Sequence, residues 1–461
     1  MNEIPRVLIE DWLPIDKVGA ESLRDASAAR KPPLNRLHVW WARRPLTVSR
    51  AAIVGSVLPQ WSSDWPEALR EKFPDEESYR AWFLRFLGIF GDPVAGQEAL
   101  RLARSQGKFI KNPFTYPRAY TTNPSSDDLQ TMGDLLEYTW GTRELSVLDP
   151  FAGGGSIPFE ALRYGFTTIA NDLNPVAATI LKATLDYPAR FGPSLAEDIK
   201  KWGRRWYELV KPKLKPFFSP LPPDAEGAAY LWARTVACPT TGKPVPLSPN
   251  WWLSKGSNPV AVKLIAEEHM DAPQFVILRG ETVKQIDPNT GTIGRGIGRS
   301  PWTGETISGD YIKAEAQAGR MGQILYAIAA KKPRKGFEFR APNPEDLAAA
   351  QHAEMELARK KPEWIAHDLI PTEPFPGGND NRPLIYGMFT WSDFFAPRQL
   401  LAMGKMLEAR KEVIEEIQKQ TDKAKRSAIE TYLGFMLDKM IIYNNRNCRF
   451  DPGRGIRSNF D

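Results

Sequence analysis

The chain has 461 residues, with 61 Lys and Arg against 55 Asp and Glu for a formal net charge of +6, and an apolar share of 42%. That length leaves room for about two to four domains with real cores, and the small positive balance permits nucleic-acid binding without demanding it. Two cysteines exclude a disulfide scaffold and suit a reducing cytoplasm, no apolar run approaches the roughly 18 residues of a membrane span, and the mixed charged and apolar start, Met1 to Ile15, is no signal peptide.

Residues 1–130 are expected to be mostly helical, with apolar spacing around Trp82, Phe83, Phe86 and Leu87. Within them, Asn35-Arg36-Leu37-His38-Val39-Trp40-Trp41-Ala42-Arg43-Arg44-Pro45-Leu46 concentrates basic and aromatic residues, with Arg50 close by. Arginines hold phosphates bidentately and tryptophans stack on a base or an adenine. Arg36, Trp40, Trp41, Arg43 and Arg44 are therefore candidates for contacting DNA or for closing over a cofactor. On a helix, Leu37, Trp40, Trp41 and Arg44 would share one face, so a buried amphipathic helix with its arginines paired to carboxylates is an equal alternative. His38 alone does not make a catalyst.

Residues 131–215 carry the most informative stretch. A short apolar strand, Leu145 to Leu148, runs into Asp149-Pro150-Phe151-Ala152-Gly153-Gly154-Gly155-Ser156, then a helix from Ile157 to Tyr164, then a strand from Phe166 to Ala170 that ends in Asn171-Asp172-Leu173-Asn174-Pro175. This is a βαβ unit with its loop at the carboxyl end of the first strand, where open α/β sheets bind ligands. A pyrophosphate site reads G-x-G-x-x-G; here the glycines are contiguous and an acid precedes them, which disfavours phosphate and suits a cationic ligand such as S-adenosylmethionine. Asp172, roughly 20 residues further on, stands where an acid commonly takes ribose hydroxyls. The cofactor candidates are thus Asp149, Pro150, Phe151, Ala152, Gly153, Gly154, Gly155, Ser156, Asp172 and Asn174; a tight turn with no ligand is the plainer alternative.

A helix is expected from Leu195 to Val210, then a proline-rich linker over 212–223. Residues 225–335 are expected to form a β module with a small core of Pro246, Trp251, Trp252, Phe275, Val276 and Ile277, and Thr292 to Gly298 has the character of a hairpin turn. Residues 336–461 return to helix, notably Pro397 to Gln420 and Ala424 to Tyr443, the first a solvated Glu- and Lys-rich face.

Asp149 to Ser156 resembles motif I of the methyltransferases that act on amino groups of DNA bases, and Asn171 to Pro175 resembles their next cofactor motif. Asn35 to Leu46 resembles the N-terminal domain of unknown function DUF1156 of adenine-specific DNA methylases with a zinc-ribbon insertion. Tyr311-Ile312-Lys313-Ala314-Glu315 to Met321-Gly322, and Tyr386-Gly387-Met388 to Pro397-Arg398-Gln399-Leu400-Leu401, resemble the same family, so the likeness runs along nearly the whole chain. It implies an α/β fold: a partial Rossmann-like S-adenosylmethionine methyltransferase sheet with an N-terminal helical domain and a β-ribbon insertion. It also implies DNA as partner and a role in restriction or phage defence.

Two departures from the family pattern qualify this. The insertion usually carries two Cys-x-x-Cys knuckles, but here they read Cys238-Pro239-Thr240-Thr241-Gly242-Lys243 and Ser300-Pro301-Trp302-Thr303-Gly304-Glu305. A hydroxyl is a poor zinc ligand beside a thiolate, so no metal is expected. The catalytic motif D/N/S-P-P-Y/F/W, which holds a flipped adenine, does not occur; Lys31-Pro32-Pro33-Leu34 and Leu221-Pro222-Pro223-Asp224 lack the aromatic. In the family it lies beyond the region matched by Tyr432 to Phe460. No catalytic residue is therefore assigned, and a second polypeptide or a further C-terminal portion is expected to supply the motif. An RNA base-amine methyltransferase, and a non-catalytic scaffold or truncated fragment, remain open alternatives.

Overall fold

The computed structural model describes residues 5–25, 32–334 and 336–458; Lys31 and Phe460, named above, lie outside them. Helices and strands are mixed, in a broadly α/β arrangement of small separate sheets. The chain divides into two compact units, Met1–Ile199 with Asp422–Phe435, and Lys200–Thr421 with Met436–Asp461.

The first unit begins with α1 (Leu8–Asp11), α2 (Ile15–Asp25), α3 (Leu34–Leu37), α4 (Leu46–Gly55), α5 (Glu67–Lys72), α6 (Glu76–Phe86), α7 (Pro93–Ser105) and α8 (Ser126–Trp140). The ends are specified locally. Asp75, Asp92 and Ser125 accept backbone N–H groups at the starts of α6, α7 and α8, and Gly141 in the left-handed region closes α8. Tyr79, Trp82, Phe83 and Phe86 of α6 turn inward as their spacing predicts, and Trp65 and Phe73 meet Tyr79 edge-on.

Then come β1 (Ser146–Asp149), α9 (Ser156–Arg163) and β2 (Thr167–Ala170), with β1 and β2 parallel and Leu148 opposite Ile169. α10 (Pro175–Leu181), α11 (Tyr187–Phe191) and α12 (Ser194–Leu214) follow. Val147 and Phe166 pack into the helical core, whereas Leu148 and Ile169 on the opposite face are 63% and 55% exposed. Among the described residues β1 pairs only with β2. Parallel sheets are normally covered on both faces, and this one is covered on one.

Arg50 of α4 is buried to 1% exposure and Glu160 of α9 to 0%, with Nε donating to the carboxylate at 2.8 Å. The remaining Arg50 donors go to the carbonyls of Leu87, Ala119 and Thr122. Arg163 bonds the other Glu160 oxygen at 3.0 Å.

In the second unit, β3 (Gly227–Ala237), β4 (Pro244–Leu247), β5 (Trp252–Ser254), β6 (Val260–Ile265), β7 (Gln274–Arg279), β8 (Ile293–Gly294), β9 (Ile297–Arg299) and β10 (Thr306–Ile307) precede α13 (Gly309–Gln317), β11 (Gly322–Lys332) and β12 (Gly336–Arg340). The sheets run β12-β11-β3-β4, β5-β6-β7 and β10-β9-β8. α14 (Pro344–Ala366), α15 (Arg382–Ile385), α16 (Pro397–Gln420), α17 (Lys423–Tyr443) and the hairpin β13 (Arg449–Asp451) and β14 (Gly455–Arg457) follow, and the division into units falls within α12 and within α17. The T-I-G-R-G-I-G stretch is the β8–β9 hairpin, with Arg295 and Gly296 both at positive φ, 51° and 81°. Trp251, Phe275 and Ile277 lie in the expected core, but Val276 is 41% exposed, because alternation along β7 sends it outward. The expected linker starts late: α12 runs through Pro212 to Leu214, and a proline in a last turn forgoes one internal hydrogen bond without ending the helix sooner.

Removing one partner of the buried pair strands the other charge. Arg50→Met or Glu160→Leu alone is expected to destabilise by about 3–5 kcal/mol, and the double variant by less than the sum, as read by urea denaturation. Asp25 supplies a pH test. Burial pushes its carboxyl up to about 6 despite the hydrogen bond from Thr47. A raised folded-state value means its stabilising contribution is present in acid and is lost as pH climbs through about 6. Asp25→Asn is expected to gain stability relative to the parent between pH 5 and 8, on the order of 1 kcal/mol, measured as the shift in denaturation midpoint.

Candidate functional site

The site expected from the sequence lies where β1 and β2 end side by side. Asp149 closes β1 and accepts the Phe151 N–H through its side chain at 3.2 Å. Asn171 N donates to the Asp149 carbonyl and Ala152 N to the Asn171 carbonyl, both at 2.9 Å, so the parallel ladder continues into the loop. Asp172 is the second anchor. One carboxylate oxygen accepts the Gly153 N–H at 2.8 Å, and the other accepts Asn174 N at 2.8 Å. Two acids thus stand at adjacent strand ends with the glycine turn between them. Phe151 and Leu173 beside them are 84% and 95% exposed. Pro150 is exposed, Ala152 is buried against Leu181 and Leu185, Ser156 is buried at the start of α9, and the Asn174 side chain caps α10 by accepting Val176 N.

The basic-aromatic segment covers the loop. Only Leu34–Leu37 of it is helical, and residues 38–45 are turn and extended chain. The expected single helical face is therefore a correction: Pro45 biases Arg44 away from helical angles, and His38 is already extended at φ −146°. Trp40 and Arg43 turn toward the glycines. A Cβ on Gly153 would stand 2.6 Å from Trp40 Nε1, and one on Gly154 would stand 2.9 Å from Arg43 Cγ. Gly153 and Gly155 also hold positive φ, 51° and 79°. Each glycine of the run is thereby required by the fold itself.

Arg43 is half-buried, donates to the His38 carbonyl at 2.9 Å, and keeps a buried Nε without a hydrogen-bond partner. Desolvation lowers its pKa to about 10. Arg36, Trp41 and Arg44 are exposed, Trp41 at 76%. Arg50 is not available to a ligand, being spent on Glu160 and three carbonyls. Glu160 carries only one signal in the sequence, an acid on the inward side of a mostly apolar helix.

In the second unit, Cys238 to Lys243 and Ser300 to Glu305 form matching turns. Cys238 N donates to the Lys243 carbonyl at 2.8 Å and Ser300 N to that of Glu305 at 2.9 Å; Gly242 N and Gly304 N return to Cys238 and Ser300 in the same way. Gly242 and Gly304 hold φ 71° and 74°, and Thr241 and Thr303 each accept the N–H two residues on at 3.3 Å. The turns face each other: Ser300 Oγ donates to Cys238 Sγ at 3.2 Å, and Cys238 and Thr240 donate to Glu305. Those hydrogen bonds hold Glu305 below the usual carboxylate range. Among the described residues, no group of three or more His, Cys, Asp or Glu side chains could hold a metal ion.

The model of a family described as a protein of unknown function (DUF1156) matches residues 12–85. No curated protein and no solved structure matches the chain. Among the described residues no helix is long and apolar enough to cross a membrane.

Gly153→Ala is expected to destabilise by roughly 1–2 kcal/mol from its backbone angle alone and more from the clash with Trp40, with a change in tryptophan emission; an unchanged spectrum and midpoint would contradict the packing described. Replacing Thr241, Ser300 and Thr303 together by cysteine would complete four thiolates on the paired turns with Cys238. That variant is expected to take up one zinc per chain, counted by elemental analysis against the parent chain as control.

Proposed function

We propose that the first unit is the S-adenosylmethionine-binding portion of an adenine-N6 DNA methyltransferase with a partial Rossmann-like sheet. The observation that carries this is the Asp172 carboxylate on the Gly153 N–H at 2.8 Å, which sets the second acid against the turn that follows Asp149. The residues present fit the cofactor. Asp149 suits the methionine ammonium, Asp172 the ribose hydroxyls, and exposed Phe151 and Leu173 offer apolar faces to an adenine. The buried, unpartnered Arg43 Nε is a donor for the methionine carboxylate. When bound, the cofactor supplies an electrophilic methyl group. This chain's residues bind and orient it, and orientation dominates such a transfer.

No residue of this chain is assigned to grip the target adenine base. The open edge of β1 and the bare Leu148–Ile169 face support the reading that a second polypeptide, or a further C-terminal portion of the protein, adds strands there and brings the D/N-P-P-Y/F motif. Arg36, Trp41 and Arg44 are the exposed candidates for DNA contact. The paired turns support a ribbon insertion whose metal ligands have been replaced by hydrogen-bonding hydroxyls. The resemblance extends the reading to restriction or phage defence. A non-catalytic scaffold is the second reading, and one observation favours it: Trp40, Arg43 and the positive φ angles account for all three glycines without a ligand.

Calorimetric titration with S-adenosylmethionine separates the two. Binding is expected, and Asp172→Ala, Asp149→Ala and Arg43→Gln are each expected to weaken it by about tenfold or more. A folded parent chain that does not bind would select the scaffold.

A further inference from the structure

A cavity of about 1050 Å³ opens within the second unit, walled by β3, the first turn of α16 and the segment that leads from α17 into β13. Alternation along β3 buries Ala229, Leu231 and Ala233 in the core, so Tyr230, Trp232 and Arg234 share the other face, toward the cavity. Arg398, on the first turn of α16, is only 7% exposed. Its guanidinium lies 4.0 Å from the Tyr230 ring centroid and 5.6 Å from that of Trp232, and donates to the Phe217 carbonyl at 3.4 Å. Arg446 donates to Gln323 at 3.4 Å, and Gln323 is the cross-strand neighbour of Arg234. Arg234 Nε is buried without a hydrogen-bond partner.

Cationic residues outnumber carboxylates along this wall. Of the ionisable residues that line it, Arg234, Lys255, Arg398 and Arg446 are cationic and Glu354 is a carboxylate. Asp346, whose charge reaches Arg398, is held by Arg340 and Ser219. Asp393, whose charge reaches Arg446, is held by the Phe389 and Thr390 N–H groups. The helix dipole of α16 adds positive potential at Arg398, where a cation is disfavoured. Burial holds all three guanidiniums below their ordinary pKa, Arg446 at about 10 with the Arg234 charge as second cause. Like charges gathered in a half-buried hollow are costly unless an anion completes them.

We propose that this cavity binds a nucleotide unit, its phosphate held by Arg234, Arg398 and Arg446 and its base stacked against Trp232. Guanidiniums match phosphate bidentately, and aromatic faces accept any base. The unit comes either as a free nucleotide or within a single strand. The site is independent of the S-adenosylmethionine reading, since it uses none of the same residues.

The test titrates the purified chain with dAMP and, separately, with a short fluorescent oligothymidylate. Binding of dAMP with quenching of tryptophan emission assigns a free nucleotide, and binding of the oligonucleotide alone assigns a strand. In either case Arg234→Gln and Arg446→Gln are expected to weaken it by roughly tenfold or more, with circular dichroism unchanged. Arg234→Gln is the safer variant to fold, because its Nε has no hydrogen bond to lose. Asp149→Ala with Asp172→Ala is expected to bind both probes as the parent does, which separates failure here from failure of cofactor binding. No binding of either probe by the folded chain, equal binding by the arginine variants, or displacement by inorganic phosphate as effectively as by dAMP would overturn the proposal.

Discussion

A guanidinium shut away from water must find every partner within the protein, and Arg50 finds them in four places at once. It reaches Glu160 on α9, the Leu87 carbonyl just past α6, and the Ala119 and Thr122 carbonyls at the start and end of the short helical turn Ala119–Thr121. Glu160 is equally enclosed and is shared with Arg163, which bonds the Tyr120 and Thr122 carbonyls in turn. These bonds fix α9 against the helical core. The glycine turn is the N-terminal lead of that same helix, so its position follows from the clamp. The stretch matched by the family model, 12–85, contains Arg50, Trp40 and Arg43. One short region therefore supplies both the clamp behind the helix and the cover over the turn.

Much of this was legible because local rules and tertiary packing agree. The βαβ unit, the β8–β9 hairpin and the span of α16 each follow from periodicity and turn residues within one window of chain. The segment over the glycines was not, since a helical pattern at Leu37, Trp40, Trp41 and Arg44 conflicts with the angles that Pro45 imposes, and the proline prevails. Nor was the Glu160 partnership, whose members stand 110 positions apart. The cationic hollow was hidden for the same reason. Arg234, Arg398 and Arg446 come to line one cavity only once the sheet and α16 have formed, and no single stretch carries their pattern.

The paired turns hold their shape by hydrogen bonds between side chains and backbone. In a metal knuckle the backbone N–H groups steady the ligand atoms; here Thr241 and Thr303 receive those N–H groups, and Ser300 and Glu305 close across to Cys238. Gly242 and Gly304 keep the left-handed angles such a turn needs. Turn geometry and donor chemistry are thus separable properties, one written in glycine and proline and the other in the ligating atoms.

The bare side of the β1–β2 pair has a thermodynamic consequence. Leu148 and Ile169 lie next to each other on it, and among the described residues the outer edge of β1 pairs with no strand. Anything that docks there binds the folded chain and not the unfolded one, so mass action makes the melting temperature depend on the amount of complement present. A second copy of the chain is also a complement, if an imperfect one, because exposed edges pair with one another. For any such complement, the stability of this unit would depend on its concentration as well as on the sequence.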